Sequence, residues 1–529
     1  MKEVFILVIG ILCLQIYHIS GQCDDEHQYP FESLEHSINS FAMDLLKEML
    51  NDNATDENIF FSPFSISTAL AMTQLGTGGK TARQMENTLK FKSGQNYHCL
   101  FRQLLNDING RNTQYVLKSA NNLFPNSKFK IDQTYLDDVI NYYRAQIKEY
   151  DYAHQASVAL KEINEWISNK TEGKLKDVLS SVDVNSLTIL ILVNAIYFKA
   201  DWKHTFDTKN TKPARFNSPG KRITVNMMMQ SFNESQTHVY IKDKDLDAHI
   251  LELPYKGDEV SMIIMLPVSN NGDGLKTLRD LEAKLNATKL ASIQKEIDCH
   301  NFTEDNREVN LYFPKLLIKW RSELVEHLRN LGMVDVFSSV ANFSRICHNS
   351  DTCGLFFNKV IHQTFVEVNE EGTEAAAVTV LAQTISIGGG PVTLRVDRPF
   401  LFLIRHKKSK VILFMGHITK ATIAKKVKSC MTSEPCMKMF NGTPAKQCCG
   451  CKFQFRDPTK RRSEPEDPRV VLRRLKNKCN ADDCRESCLT EDCVEIYRVE
   501  DNCKVKNKNK NKNKNKNKKG KNTTATAKP

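Results

Sequence analysis

The spacing of apolar residues predicts helices in two parts of the chain. Near the N-terminal end of the main body, large apolar side chains recur three or four positions apart, at Ile38, Phe41, Ala42, Leu45, Leu46 and Met49. This spacing predicts an amphipathic helix. Asn58–Ser67 is predicted to form a short strand that Pro63 interrupts, followed by a second helix that continues to Leu75. A later helix is predicted from the apolar stripe formed by Leu324, Val325, Leu328 and Leu331.

Apolar runs without helical spacing predict strands, mostly in the second half of the body. Thr188–Phe198 is a continuous run (TILILVNAIYF) that predicts a central strand covered on both faces. Its one strongly polar side chain, Asn194, needs hydrogen-bond partners if it is buried. Further strands are predicted at His249–Leu253, Val260–Leu266, Val309–Phe313, Lys359–Val368, Phe400–Ile404 and Val411–Ile418. Helices early and strands later indicate an α+β domain with mixed sheets.

The stretch Val366–Leu394 combines the properties of a strand with those of a loop. It begins with alternating apolar and polar residues and continues through three alanines and a run of β-branched residues. It ends in Gly388-Gly389-Gly390-Pro391. Small and β-branched side chains suit a buried strand, whereas a glycine run before a proline suits an exposed loop. We therefore expect a segment that can change between these two states.

Composition divides the chain into four segments: a signal peptide at 1–21, a body at 22–425, a Cys-rich extension at 426–503 and a Lys/Asn-rich tail at 504–529. In the first segment, Lys2 precedes an apolar run from Val4 to Ile16 and the small pair Ser20-Gly21. This pattern is typical of a secretory signal, and the run is too short to span a bilayer. Because no later segment approaches spanning length, we expect a secreted, extracellular protein without a membrane span.

Cysteine usage supports that compartment. Of the sixteen cysteines, ten lie between Cys430 and Cys503, where large apolar residues are scarce. A disulfide-rich unit is the first interpretation of this even number in a short secreted segment. Zinc binding is the alternative, although no histidine accompanies the cluster. Once Cys13 leaves with the signal peptide, the body retains an odd number of cysteines, so one is free or bonds to the extension.

The net charge of +12 is concentrated in the tail. Lys504–Lys521 contains ten lysines and no acidic residue, which leaves about +2 for the rest of the chain. The body therefore shows no excess of basic residues that would indicate nucleic-acid binding. We expect the tail to be disordered. Two interpretations of it stay open: attraction to sulphated glycans, and a solvated repeat without a partner.

Motifs of nucleotide-binding proteins and enzymes are incomplete or absent. Gly79-Lys80-Thr81 resembles the end of a phosphate-binding loop, but that motif needs a glycine where Gln74 stands and a preceding strand. A turn between helices is predicted instead. The chain contains neither a Gly-x-Ser-x-Gly elbow nor a His-Glu-x-x-His motif. The sequence therefore predicts no catalytic residue, no cofactor and no metal site.

Over roughly residues 30–423, the body resembles the serpin family in many separate sequence blocks. These are Asn58–Met72, Leu192–Trp202, Leu251–Pro267, Phe313–Lys315, Leu331–Met333, Ala341–Ser344, Val360–Ala377 and Arg398–Ile418. The resemblance implies three β-sheets with about nine helices and an exposed reactive loop, residues 370–394. Asn342 departs from the family, which has aspartate there, and the Cys-rich extension has no counterpart in an ordinary serpin.

The resemblance also implies a mechanism, in which a target serine protease attacks the loop as a substrate. The protease forms a covalent acyl-enzyme, and the cleaved loop then inserts into the main sheet as a new strand. The implied hinge residues are Glu370, Glu371, Gly372, Thr373, Glu374, Ala375, Ala376, Ala377, Val378 and Thr379. Alternation along a strand would turn Thr373, Ala375, Ala377 and Thr379 inward, and these side chains are small and uncharged.

Other residues take conformational roles in this resemblance. Ser62, Ser65, Asn194 and His362 match a polar cluster beneath the strands that open. Glu370 and Trp202 match residues that hold one end of the main sheet closed. Gly372 permits a sharp change of backbone direction at the hinge.

The residues of the loop limit the class of protease that we expect as the target. The resemblance places the scissile bond at Ser386-Ile387, with Ile385-Ser386 as second choice. No Lys or Arg lies between Thr373 and Leu394, and trypsin-like proteases need a basic residue for their acidic pocket. We therefore expect an elastase-like or chymotrypsin-like target, with a cysteine protease as an alternative. The alternative function is a non-inhibitory serpin that acts as a carrier, chaperone or nutrient protein.

The sequence also contains eight Asn-x-Ser/Thr sequons, which are candidates for N-glycosylation in a secreted protein. They begin at Asn53, Asn169, Asn233, Asn286, Asn301, Asn342, Asn441 and Asn522. We expect the protein to be a monomer.

Overall fold

The computed structural model describes residues 30–51, 56–110, 114–233, 238–268, 274–300, 308–347, 354–372 and 391–421. These ranges contain nine α-helices and fourteen strands, which form three sheets. The α+β class, the three sheets and the number of helices agree with the sequence analysis. The predicted signal peptide, Cys-rich extension and tail lie outside the described residues.

The helices include the three that the sequence predicts. In chain order they are α1 (Glu32–Asn51), α2 (Pro63–Leu75), α3 (Gly79–Thr88), α4 (Tyr97–Ile108), α5 (Gln133–Tyr143), α6 (Tyr152–Lys170), α7 (Gly274–Lys284), α8 (Ala287–Asp298) and α9 (Val325–Asn330). The predicted turn between helices is also confirmed, because α3 follows α2 directly through Gly76–Gly78.

The first four-stranded sheet, which we call the main sheet, carries the features important for function. Its strand order is β10 (Leu316–Glu323), β11 (Lys359–Val368), β3 (Leu190–Ala200) and β2 (Tyr115–Pro125). The two central strands, β11 and β3, are parallel, whereas both outer pairs are antiparallel. The bounds of β11 agree with the predicted strand Lys359–Val368 at both ends.

The other two sheets complete the body. A six-stranded antiparallel sheet has the order β1 (Ile59–Phe61), β14 (Ile412–Ile418), β13 (Phe400–His406), β8 (Val260–Pro267), β7 (Ala248–Pro254) and β6 (Val239–Asp243). A smaller sheet has the order β12 (Val392–Arg395), β9 (Val309–Pro314), β5 (Lys221–Phe232) and β4 (Lys212–Ser218). The apolar runs predicted as strands thus become β7, β8, β9, β13 and β14.

Helix α2 connects the six-stranded sheet with the main sheet. All of its residues from Pro63 to Gln74 are buried, the small polar ones as well as the apolar ones, so no face of the helix meets water. It contacts β14 on one side and β3 and β2 on the other. Ser62 caps its first turn by accepting a hydrogen bond from the backbone N–H of Ser65 at 3.1 Å. This cap places two predicted site residues directly beneath the main sheet.

The odd number of cysteines in the body is explained in part by Cys299. It is an exposed free thiol, whereas Cys99 and Cys347 are disulfide-bonded. Cys23 and Cys353, like the ten cysteines of the extension, lie outside the described residues.

Candidate functional site

The boundary between β3 and β11, which we call the seam, is the centre of the candidate site. Its parallel ladder pairs Lys359 with Ile191 at one end and Phe365 with Tyr197 at the other. Both strands then continue for three residues that are not paired across the seam, while β11 stays paired with β10 as far as Val368. The main sheet is therefore already split at this end.

A tight turn at Asn369–Gly372, which we call the loop foot, follows β11 at the split end. The backbone N–H of Asn369 donates to the carbonyl of Gly372 at 2.9 Å. The side-chain oxygen of Asn369 accepts from the N–H groups of Glu371 and Gly372, at 3.1 and 3.2 Å. Asn369 therefore holds the chain in a turn where a longer β11 would otherwise continue.

Trp202, just beyond the end of β3, forms hydrogen bonds that connect the loop foot to the β3 side of the seam. Its indole Nε1 donates to the carbonyl of Asn369 at 3.1 Å, and its backbone N–H donates to the carbonyl of Glu371 at 2.8 Å. The indole is buried and stacks on Tyr255 with a centroid distance of 4.4 Å. The sequence analysis places Trp202 at this end of the sheet, and the geometry gives it two direct bonds to the turn.

Glu370 points from the loop foot into a partly buried ion pair. Lys315, between β9 and β10, donates to its carboxylate at 2.7 Å, and Thr211 donates to the other oxygen at 2.7 Å. Burial alone would raise the pKa of Glu370, but the bonds from Lys315 and Thr211 hold its pKa below the ordinary value. The carboxylate therefore stays ionised and joins the loop foot to the smaller sheet.

Gly372 is the last residue at the start of the reactive loop that the structure describes. Its φ is +136°, and a Cβ at this position would lie 2.3 Å from the carbonyl oxygen of Ala200 and 2.4 Å from Cα of Asp201. Only glycine allows this backbone to approach the end of β3 so closely. Gly372 also forms an isolated bridge with Asp201.

Halfway along the seam lies a second group, the polar cluster, formed by Ser62, Ser65, Asn121, Asn194 and His362. The Nδ2 group of Asn194 donates to the carbonyl of Ser65 at 2.8 Å and to the side-chain oxygen of Asn121. The Oδ1 atom of Asn194 contacts Nδ1 of His362. Asn194 and His362 face each other across the seam in the ladder. The buried Asn194 thus has the partners that its position requires.

The hydrogen bonds of His362 determine its protonation. The backbone N–H of Ser62 donates to Nε2 at 3.0 Å, so this nitrogen carries no proton and Nδ1–H donates to Asn194. Burial lowers the pKa of His362 to about 3. The neutral ring therefore joins β11 to β3 and, through Ser62, to α2.

Sequence reasoning missed several members of both groups. Asn121 and Ser119, on β2, contact the hydroxyl of Ser65 at 3.1 Å each. Their polar positions interrupt an apolar strand, and this interruption is a signal that the sequence does contain. Asn369, Lys315 and Thr211 could not be found in this way, because isolated polar residues at strand ends are common. The hinge residues Thr373–Thr379 and the expected scissile residues Ile385, Ser386 and Ile387 lie outside the described residues.

Two other searches concern metals and membranes. Within the part of the chain that the structure describes, no three His, Cys, Asp or Glu side chains lie together in a way that could hold a metal ion. None of the helices in that part is both long and apolar enough to cross a membrane.

Comparison with known families identifies this architecture. The family model described as serpin (serine protease inhibitor) matches residues 36–421, well over half of the chain. The chain belongs to the serpin family. Serpins are protease inhibitors rather than enzymes, and the family implies a serine protease as the partner.

Proteins of similar sequence match this chain over its serpin body. It is 39% identical over 396 residues to the leukocyte elastase inhibitor of Homo sapiens, a match that covers 73% of this chain and 99% of that protein. Two solved structures are similar to it. Human glycosylated kallistatin has a TM-score of 0.65 at 28% identity and covers 75% of this chain and 100% of its own. Thyroxine-binding globulin in complex with thyroxine has a TM-score of 0.63 at 26% identity and covers 74% of this chain and 99% of its own.

Proposed function

We propose that this serpin is a secreted inhibitor that traps a serine protease by loop cleavage and strand insertion. The observation that carries the proposal is the split end of the seam, where the β3–β11 ladder stops at Phe365 and Tyr197 directly beside the loop foot. A strand that enters between β3 and β11 can begin there without first breaking a backbone ladder.

The direction of the strands favours insertion. The chain reverses at the loop foot, so a loop that enters the seam would run antiparallel to β11 and, because β3 is parallel to β11, antiparallel to β3 as well. One parallel ladder would be replaced by two antiparallel ladders, which are slightly more stable per residue. The hinge sequence is compatible with this, since Thr373, Ala375, Ala377 and Thr379 are small and uncharged.

The expected target is an elastase-like or chymotrypsin-like protease, cleaving at Ser386-Ile387 or, as second choice, at Ile385-Ser386. Two observations support this choice. The loop contains no Lys or Arg between Thr373 and Leu394, and a relative with 39% identity is named for the inhibition of leukocyte elastase. A cysteine protease that forms an acyl-enzyme is the alternative target.

Incubation with a panel of proteases tests this function. We expect a covalent complex that survives denaturing electrophoresis with an elastase-like or chymotrypsin-like enzyme and none with trypsin. N-terminal sequencing of the released peptide should begin at Ile387. Cleavage of the loop without a complex, by every protease that cuts it, would contradict the inhibitory function.

A carrier function is the second candidate, because the solved thyroxine-binding globulin is similar over 99% of its length. The small hinge residues argue for inhibition, since a carrier does not need an insertable loop. Saturable binding of a small apolar ligand, together with cleavage that leaves no covalent complex, would favour the carrier.

The segments outside the serpin body support two further parts of the proposal, secretion and binding to sulphated glycans. The signal-like segment 1–21 supports secretion, and Lys504–Lys521 supports binding to sulphated glycans. Such binding should weaken with salt. Deletion of residues 504–529 is expected to shorten retention on a heparin column, and unchanged retention would contradict glycan binding.

A further inference from the structure

The sequon asparagines that the structure describes differ in their surroundings. Asn53, Asn301, Asn441 and Asn522 lie outside the described residues. Among the others, Asn286 is exposed and Asn342 is half-buried. Both use the side-chain oxygen as a hydrogen-bond acceptor, so they differ mainly in the position of the nitrogen Nδ2, the atom to which an N-linked glycan attaches.

Asn286 is the N-cap of α8 and is exposed. Its Oδ1 accepts from the backbone N–H of Lys289 at 2.9 Å, which satisfies one of the free donors at the start of the helix. An N-linked glycan leaves this carbonyl oxygen in place, because only Nδ2 is substituted. The cap and the glycan can therefore exist on the same side chain.

The surface beside Asn286 has room for sugar residues. Asn286 and Thr288 line an open groove of about 810 Å³ between α1 and α8. Its walls include the polar side chains of Ser40, Asp44 and Lys47 together with the apolar Met43 and Ala287. The hydroxyl and charged groups among them can form hydrogen bonds with the hydroxyls of a glycan.

Asn342 is held against the start of α3. Its backbone N–H donates to Thr81 at 2.9 Å, its carbonyl accepts from Gly78 at 3.1 Å and its Oδ1 accepts from Ser344 at 3.0 Å. These bonds direct Nδ2 over Gly79, 3.4 Å from where a Cβ on that glycine would lie. Asn342 is half-buried, so a glycan on Nδ2 would begin against the backbone of the first residue of α3.

We propose that Asn286 carries an N-linked glycan in the secreted protein and that Asn342 does not. In the transfer, a bond forms between Nδ2 and the anomeric carbon of a polyprenyl-diphosphate-linked oligosaccharide. The bond from that carbon to the diphosphate breaks, and Nδ2 loses one proton. The proposal rests on the secretory route of the proposed function.

Aspartate substitutions give a matched test, because an aspartate keeps an acceptor oxygen at each position. The full-length chain and its Asn286→Asp and Asn342→Asp variants are secreted from a eukaryotic cell line. Their glycopeptides are then mapped by mass spectrometry after N-glycosidase digestion in ¹⁸O water. We expect Asn286→Asp to lose one glycan and Asn342→Asp to lose none. Thr288→Ala, which removes the sequon without changing the capping residue, should lose the same glycan as Asn286→Asp.

The possible outcomes distinguish failure of the glycan assignment at Asn286 from failure of the proposed secretion. A glycan at other sequons, such as the exposed Asn169 in the last turn of α6, with none at Asn286 would overturn the assignment and leave secretion intact. A glycan on Asn342 would also overturn it. If no sequon is modified in a chain recovered from the medium, the assignment fails, and a chain absent from the medium with no glycan would contradict the secretory route itself.

Discussion

The loop foot and the polar cluster both join β3 to β11, but they do so in different ways. At the loop foot, the bonds run from Trp202 to a four-residue turn, and the Glu370–Lys315 pair keeps 27% of the lysine side chain exposed. In the polar cluster, His362 and Asn194 are fully buried, and their partners Ser62 and Ser65 are buried as well, while Asn121 is half-buried. Bonds near water can exchange for water bonds, whereas buried bonds cannot. Opening of the seam is therefore expected to begin at the loop foot and to meet its main resistance at the cluster.

The largest effect is expected from Asn194→Ala, which removes the central residue of the cluster. The substitution leaves Nδ1–H of His362 unsatisfied, which costs about 1–3 kcal/mol, and it also removes the buried donor to the Ser65 carbonyl and leaves a cavity. We expect a loss of about 4 kcal/mol in urea denaturation. Asn164→Ala, whose side chain bonds Leu179 in a partly buried position, is the control and should cost less. Equal losses would contradict the special role of the cluster.

Gly372→Ala should have the next largest effect. The new Cβ meets backbone atoms of Ala200 and Asp201, and the φ of +136° is strained for alanine, so we expect a loss of about 3 kcal/mol. Gly220→Ala is a matched control, since Gly220 has a φ of +70° and nothing within 4 Å of a Cβ. That variant should lose about 1 kcal/mol from φ alone. Similar losses for the two variants would show that the close contact with β3 does not exist.

Acid should weaken the cluster through His362. Its pKa of about 3 in the folded protein lies below the unfolded value near 6.5, so the unfolded chain takes up the proton first. Stability from this group is therefore fully present above about pH 6.5 and is lost as pH falls towards 3. The stability difference between the wild type and His362→Asn should shrink by about 2 kcal/mol from pH 7 to pH 5. A difference that stays constant over this interval would contradict the buried neutral ring.

The smallest effect is expected from Glu370→Gln at the loop foot. The variant keeps an acceptor for Thr211 but loses the charge that pairs with Lys315, and a partly exposed pair of this kind contributes about 1 kcal/mol. Hydrogen exchange of the amides of Trp202 and Gly372 should become faster, while that of the cluster residues stays unchanged. Asp258→Asn, which removes the exposed Lys203–Asp258 pair near the same end of the sheet, is the control and should not change the exchange at Gly372.

Much of the fold could be predicted because buried strands have a clear sequence signal. Continuous apolar runs marked β3, β8, β13 and β14 within about two residues at most ends, and β11 was predicted correctly at both ends although its sequence is mixed. Strand β2 was missed because Lys118, Ser119, Asn121 and Asn122 interrupt its apolar pattern. Two of these polar residues, Ser119 and Asn121, contact the hydroxyl of Ser65. The residues that interrupt the apolar pattern of the strand therefore also belong to the hydrogen-bond network of the polar cluster.

The arrangement of the site depends on contacts that no local pattern encodes. His362 and Asn194 are 168 positions apart in sequence and meet only because β11 lies beside β3. The sequence predicts that a buried Asn194 needs hydrogen-bond partners. That these partners are Asn121, Ser65 and His362 depends on the fold. Similarly, the attachment of Asn369 to Trp202 depends on where β3 ends, and no local pattern marks it.

The thermal unfolding midpoint before and after loop cleavage tests strand insertion most directly. A protease that does not form a complex is used to cut the loop, and the cleaved chain is compared with the intact one under identical conditions. We predict a clear rise in the midpoint, because a new strand would fill the seam and replace one parallel ladder with two antiparallel ladders. An unchanged or lower midpoint would contradict insertion and, with it, the inhibitory mechanism.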